Sequence, residues 1–543
     1  MNSLLLIPLN RCTYIRTKEK QKGFDSMNIK QAKEQVKNTV KVYLKKNRFG
    51  DYVIPANKQR PVFLMGPPGI GKTEIMSQVA SELGIGLLSY SMTHHTRQSA
   101  IGLPIIKKKI YDGKEYDVSE YTMSEIIASV HNMIEETGKK TGILFLDEIN
   151  CVSETLSPIM LQFLQYKVFG GHTIPEGWIV VTAGNPPEYN NSVHEFDTVT
   201  WDRLKRIDIE PDFDVWKEYA YEVGVHPAII TYLETKTSNF YKIETTVDGK
   251  TFVTARGWDD LSRIIKEYEE EGIIVDKDLI SQYLHNDKIS RDFAVYYDLY
   301  KKYKSDYHIE DIITGRYTDE LVERANEASY DEKFSIVGLL IEKLGDDAKR
   351  IMTMQRVFEE LVRKLKVFKD RNDVNIIDEI ETMIKDIKET ISNEKRSHSL
   401  SERDQENLNM QSELLTKYIG AIKSLPSAKP YDALALAFNK DSGDHKKNVV
   451  KVKEHYTNAF NFGDSAFGDD SQQMLIMCTE MVANTHISTY IATMGCEEYF
   501  NHDDLLMFHK RNIEIIKDLN ALKELRGDNA QEEDGDGDGD LYM

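Results

Sequence analysis

The stretch Gly66-Pro67-Pro68-Gly69-Ile70-Gly71-Lys72-Thr73 decides the reading of this chain. It fits G-x-x-x-x-G-K-[ST], a loop whose backbone N–H groups curl around a polyphosphate. An apolar run, Val62-Phe63-Leu64-Met65, stands before it, and a helix-compatible run over 74–83 follows. The pattern needs this strand–loop–helix context, because the helix N-terminus adds its dipole to the phosphate cradle. In this frame Gly66, Pro67, Pro68, Gly69, Ile70 and Gly71 form the cradle, Lys72 reaches the β- and γ-phosphates of ATP, and Thr73 holds Mg2+. A dinucleotide-binding turn would want G-x-G-x-x-G. Here the glycines stand at 66, 69 and 71 and a lysine follows, which excludes that fold.

Outward from the loop, apolar strand-like runs alternate with helical ones from residue 60 to about 209, which predicts an α/β domain with a parallel sheet. Strands are expected over 62–65, 85–91, 142–146 and 178–182. The third runs Leu144-Phe145-Leu146-Asp147-Glu148, a buried strand delivering two acids at its C-terminal end, the edge where ligands sit in open α/β sheets. Asp147 is suited to supporting Mg2+, and Glu148 to orienting and deprotonating an attacking water. The fourth runs Val180-Val181-Thr182-Ala183-Gly184-Asn185-Pro186-Pro187. Asn185 on the same edge can bring its amide to the γ-phosphate or the water; the alternative is a plain Asn-Pro turn.

At 543 residues the chain holds more than one domain. Its 69 Lys and Arg against 89 Asp and Glu give a formal charge of −20 with no long basic run, a poor basis for nucleic-acid binding through counterion release. Cys12, Cys151, Cys478 and Cys496 are far apart and lack C-x-x-C spacing, which predicts a reducing compartment and no zinc. No apolar run approaches the ~18–20 residues of a membrane span, so a cytoplasmic location is expected. Leu4-Leu5-Leu6-Ile7-Pro8-Leu9 is too short for a signal core, and residues 1–26 are read as a disordered N-terminal extension. His455, His486, His502 and His509 lack H-E-x-x-H spacing and are not expected to bind metal. The run Asp534-Gly535-Asp536-Gly537-Asp538 begins like a calcium loop but reaches no twelfth-position Glu; 527–543 is read as a disordered acidic tail.

Beyond Pro211 the pattern is helical. Residues 213–233 read as one or two helices, 241–253 as a polar hairpin turning at Asp248-Gly249, and Trp258, Leu261, Ile264 and Ile265 as the face of a helix that begins near Arg256. Residues 305–425 carry narrow stripes, Val357, Leu361, Leu365 and Phe368, then, after a break at Asn372-Asp373, Ile376, Ile380, Met383, Ile387 and Ile391. Such stripes fit a bundle packing on itself or a projecting coiled-coil arm, and both readings stay open. A linker at 426–430 leads to a last helical domain, 426–526, in which Met474, Met477 and Met481 read as core filler.

Taken together, Gly66–Thr73, Asp147-Glu148, Asn185, Asp202-Arg203-Leu204 and Thr254-Ala255-Arg256-Gly257-Trp258 resemble an AAA+ ATPase, and within it the MoxR-type group. Smaller features fit that group. Ile101-Gly102-Leu103-Pro104 precedes a hairpin-like insert at 105–118 turning at Asp112-Gly113, and Phe169-Gly170-Gly171-His172-Thr173-Ile174-Pro175 resembles the hairpin ahead of sensor 1. The resemblance implies an α/β large domain over 27–210 and a helical lid over 211–304. It implies sensor 1 at Asn185, an arginine finger at Arg203 with Arg206 as second candidate, and sensor 2 at Arg256. The alternative reading of these arginines is that of solvated helix-end cations. The family more often has Phe where this chain has Leu204. The resemblance further implies a ring, commonly a hexamer, a partner with a von Willebrand factor A domain, and ATP-driven remodelling, assembly or activation of a client protein complex. No aromatic pore-loop signature supports threading. A nucleotide-regulated scaffold is the alternative function, and a nucleic-acid motor, against the charge balance, a distant third.

Overall fold

The strand that precedes the phosphate loop sits one place in from the edge of a five-stranded parallel sheet. In chain order the strands are β1 (Val62–Met65), β2 (Gly86–Ser91), β3 (Pro104–Tyr111), β4 (Lys114–Tyr121), β5 (Gly142–Asp147), β6 (Val168–Phe169), β7 (His172–Thr173), β8 (Trp178–Gly184) and β9 (Lys205–Asp208). The sheet order is β2-β5-β8-β1-β9, every neighbouring pair parallel. Residues 26–189, 193, 196–246, 249–369, 376–425 and 428–502 are described by this computed structural model. The expectations for residues 1–25, Asp248, the Asn372-Asp373 break, Pro426, His509 and the tail at 527–543 lie outside them.

β1 and β8 are buried along their whole length, and β5 up to the carboxylate of Asp147. Strands covered by helices on both faces carry continuous apolar runs, which is why these three were legible. β9 was not foreseen: Lys205-Arg206-Ile207-Asp208 carries three charged residues, as an edge strand can. Its free side is partly covered by Met27, whose N–H donates to the Asp208 carbonyl (2.8 Å) and whose carbonyl accepts from Glu210 N–H (2.9 Å). The insert between β2 and β5 is the antiparallel hairpin β3–β4, with Asp112 (φ 48°) and Gly113 (φ 74°) both left-handed at its turn, as a two-residue hairpin requires.

Lys167 follows the helix Ser157–Tyr166 in the left-handed conformation (φ 57°) and buries its ammonium, donating to the Ala56 carbonyl (2.7 Å) and Gln59 Oε1 (3.4 Å). Burial pushes the ammonium down to about 8 from its ordinary 10.5. The folded state therefore binds fewer protons than the unfolded chain between about pH 8 and 10.5, and stability rises with pH across that window. Wild type is expected to gain about 3 kcal/mol relative to Lys167→Met over this window. Denaturant titrations of both proteins at pH 7.5 and 10.5 check it; parallel pH profiles would refute it.

Among its described residues the second unit, from Asp212 onward, is mainly helical, with one two-stranded hairpin, β10 (Lys242–Thr246) and β11 (Gly249–Val253). Two helices dominate it, Tyr330–Leu365 (36 residues) and Pro430–Phe467 (38 residues), roughly 54 and 57 Å long. One core takes the first half of the former and the second half of the latter, with Tyr232, Trp258, Phe293, Leu340 and Tyr456 among its members. That core crosses residue 305 and continues to Tyr499. A second core joins the other halves to Ile376–Arg396 and Glu402–Ser424 through Val357, Leu361, Ile380, Leu415 and Tyr418. The stripes at 357–422 thus pack on one another, on helices that also belong to the main core. Met474, Met477 and Met481 are buried in the main core. His455 bonds Asp347 (2.7 Å) and His502 bonds Asp464 (2.9 Å). Among the described residues no group of three or more His, Cys, Asp or Glu is placed to hold a metal, and no helix is long and apolar enough to cross a membrane.

Candidate active site

The sheet order sets the site. β8 lies between β1, which leads into the phosphate loop, and β5, which delivers the acids, so Asn185 emerges between Lys72 and Asp147 at the C-terminal edge. The loop turns through Gly69 (φ 71°) and Gly71 (φ 94°), backbone conformations that a Cβ would strain, and the helix Lys72–Leu83 begins at once.

Lys72 is only 8% exposed, and its ammonium donates to the carbonyls of Gly66 (2.8 Å) and Pro67 (2.9 Å) and to Asn185 Oδ1 (2.9 Å). Three donors meet three oxygens, so the charge is solvated by the protein itself. A γ-phosphate oxygen entering here would exchange for one of these acceptors. Because Oδ1 of Asn185 takes the ammonium, its Nδ2 is the end left to donate elsewhere.

Thr73 Oγ1 donates to Asp147 Oδ2 at 3.1 Å. A hydroxyl and a carboxylate brought together beside a phosphate cradle form the oxygen donor set that suits Mg2+, which keeps several waters and binds one or two carboxylates plus phosphates. The residues present therefore fit that ion. Asp147 Oδ1 accepts from the N–H of Glu148 (2.9 Å), and Glu148 stands in the left-handed region (φ 56°), a conformation uncommon for a side chain of this kind. Its Oε2 accepts from Ser91 Oγ (3.1 Å) and Thr93 Oγ1 (3.2 Å). Ser91 is level with Asp147 in the β2–β5 register, so the two hydroxyls hold the carboxylate on the β2 side of the strand end. Sequence reasoning missed both residues. Ser91 at the end of the strand beside the acids was the available signal, and only strand pairing makes it one.

The arginines are placed differently from the rest. Arg203 is exposed just ahead of β9, where Lys205 pairs with Val62 at the start of β1. It therefore lies at the opposite edge of the sheet from the phosphate loop, about 13 Å of strand away. Arg206, on β9, donates to Asp208 (Nε 2.9 Å, with a second guanidinium nitrogen at 2.8 Å) and stands 4.6 Å from the Trp201 ring centroid. Arg256 belongs to the second unit, exposed in the first turn of the helix Ala255–Glu270, capped by Thr254. The first unit thus brings together Gly66 to Thr73, Asp147, Glu148 and Asn185, and not the arginines.

Residues 62–193 match the family described as ATPase family associated with various cellular activities (AAA). None of the curated proteins compared matches the chain. The matched segment holds the phosphate loop, Asp147, Glu148 and Asn185, and it supports reading this chain as an AAA+ ATPase.

Proposed function

We propose that the protein hydrolyses ATP with Mg2+ and uses the cycle to remodel, assemble or activate a partner protein complex, in the manner of MoxR-type AAA+ chaperones. The observation that carries the hydrolytic part is the meeting of Lys72, Thr73, Asp147, Glu148 and Asn185 at one edge of the sheet, with Lys72 bonded to Asn185 (2.9 Å) and Thr73 to Asp147 (3.1 Å). Mg2+ held by Thr73 and Asp147 would neutralise charge across the β- and γ-phosphates. Glu148 accepts a proton as the water oxygen bonds to the γ-phosphorus. The bond from that phosphorus to the bridging oxygen breaks, ADP leaves with the bond's electron pair, and Glu148 returns the proton to the phosphate.

The remodelling part rests on the sequence resemblance and on the size of the helical unit, whose two long helices can carry a small displacement over about 50 Å. The same resemblance suggests a ring, a hexamer in most relatives of this type, and a von Willebrand factor A domain partner. An exposed Arg203 at the sheet edge away from its own loop accords with a finger offered to a neighbouring copy.

The test is nucleotide binding and turnover by the full chain, with and without Mg2+, beside Lys72→Ala. Wild type should turn over ATP only with the metal, and Lys72→Ala should bind ATP at least about tenfold more weakly, the ~1.4 kcal/mol of one lost charge-assisted contact. Wild-type affinity in Lys72→Ala would remove the reading.

A further inference from the structure

We infer that Asn150 is a positioning residue for hydrolysis, tying Asn185, and through it Lys72, to the turn that carries Glu148. The inference rests on the reading of this edge as an ATPase site. Asn150 stands two residues after Glu148 in the short turn Ile149–Cys151 and is 2% exposed. Its Nδ2 donates to the main-chain carbonyl of Asn185 at 2.8 Å.

That bond comes where the sheet stops supplying any. The last ladder contact of β8 is the carbonyl of Gly184, which accepts from Gly66 N–H at 3.3 Å. Asn185 has already left the strand, and Pro186 and Pro187 follow it with no N–H to offer. A buried carbonyl at such a point needs a donor, and the Asn150 amide is that donor. The approach is close: a Cβ on Gly184 would lie 2.4 Å from Asn150 Oδ1, so a glycine at the strand end is what admits the amide.

The consequence reaches the phosphate. Asn185 Oδ1 holds Lys72 at 2.9 Å, which leaves its Nδ2 as the end of the amide that can donate elsewhere. Where that donor points depends on where the Asn185 backbone is held, and Asn150 holds it. One short turn thus sets the base, Glu148, and the amide facing the γ-phosphate in fixed relation. An Asp at 150 would keep the shape but oppose a carboxylate to a carbonyl beside Asp147 and Glu148, so the position calls for an amide.

Asn150→Leu removes the donor while keeping the number and branching of the side-chain heavy atoms. It should lower kcat about tenfold, with ATP affinity within about threefold of wild type, since displacing a group near the reacting centre affects the chemical step more than ground-state binding. A structural defect would also lower kcat, so the deciding measurement is a double-mutant cycle with Asn185→Ala. If Asn150 acts through Asn185, Asn150→Leu should change kcat by less than about twofold in that background while shifting the melting temperature equally in both. Wild-type kcat in Asn150→Leu, or the same tenfold loss in both backgrounds, would overturn the inference. Asn150→Asp gives the same reading should the leucine variant not fold, and wild-type turnover there also overturns it. Absence of turnover in wild type removes the ATPase reading and this inference with it; normal wild-type turnover beside an indifferent Asn150→Leu removes the inference alone.

Discussion

Glu148→Gln is expected to lower steady-state ATP turnover by at least ~100-fold while leaving nucleotide affinity within about threefold of wild type. The side chain is nearly isosteric, and an amide can still accept the hydroxyls of Ser91 and Thr93, so the turn that carries it should keep its shape. What disappears is the capacity to take a proton from water. On the proposed reading binding would rest on other groups, the Gly66–Gly71 cradle, Lys72 and the Thr73–Asp147 pair, whose side chains the substitution leaves unchanged. Steady-state phosphate release and equilibrium binding of a fluorescent ATP analogue, measured on the same preparation, separate the two. Unchanged turnover would remove Glu148 as the base. Collapse of turnover with binding intact would exclude a scaffold whose nucleotide is never cut. The same variant loaded with ATP should retain its client, and is the natural bait for finding it.

Arg203→Ala should abolish turnover by about 10³-fold, the scale of a lost arginine finger, and the loss should be rescued in trans. Arg203 lies two residues ahead of β9, whose Lys205 is level with Val62 at the start of β1, whereas the phosphate loop follows the end of β1. No path along its own sheet edge brings that guanidinium to its own γ-phosphate, so any catalytic part for it belongs to a neighbouring copy. Glu148→Gln has a dead site and an intact arginine; Arg203→Ala has the reverse. Each alone should be inactive, and a co-assembled mixture should regain a substantial fraction of wild-type turnover, because an Arg203→Ala site beside a Glu148→Gln neighbour is complete. A mixture that co-assembles and stays inactive would defeat the assignment, as would full activity of Arg203→Ala. Arg206→Ala is the control. Its guanidinium is engaged by Asp208 and Trp201, so its removal should alter stability by about 1 kcal/mol and turnover little.

The parts of this protein written in contiguous residues were legible without coordinates. The phosphate loop is eight consecutive positions, and β1, β5 and β8 are mainly apolar runs because they are buried along nearly all their length. Asp147 and Glu148 could be read because they end such a run. β9 could not, since an edge strand with charged residues has no apolar signature. The stripes at 357–422 were visible as helices, but their partners were not, because helical spacing names a face without naming what covers it. The boundary expected at 305 marks no end of the larger core, which Tyr307, Leu340 and Tyr456 share across some 150 residues of chain.

Sequence by itself determined an α/β nucleotide-binding unit, a helical remainder, and which residue types could bind phosphate and move a proton, since each of these is carried by neighbours along the chain. Tertiary structure alone decided the order β2-β5-β8-β1-β9 that sets Asn185 between Lys72 and Asp147, the hydroxyls of Ser91 and Thr93 on Glu148, the Asn150 bond to Asn185, and the distance of Arg203 from its own loop. The physical reason is that hydrogen-bond register and strand order depend on which buried surfaces fit together, and residues 35 to 113 positions apart leave no local periodicity to announce that they will meet.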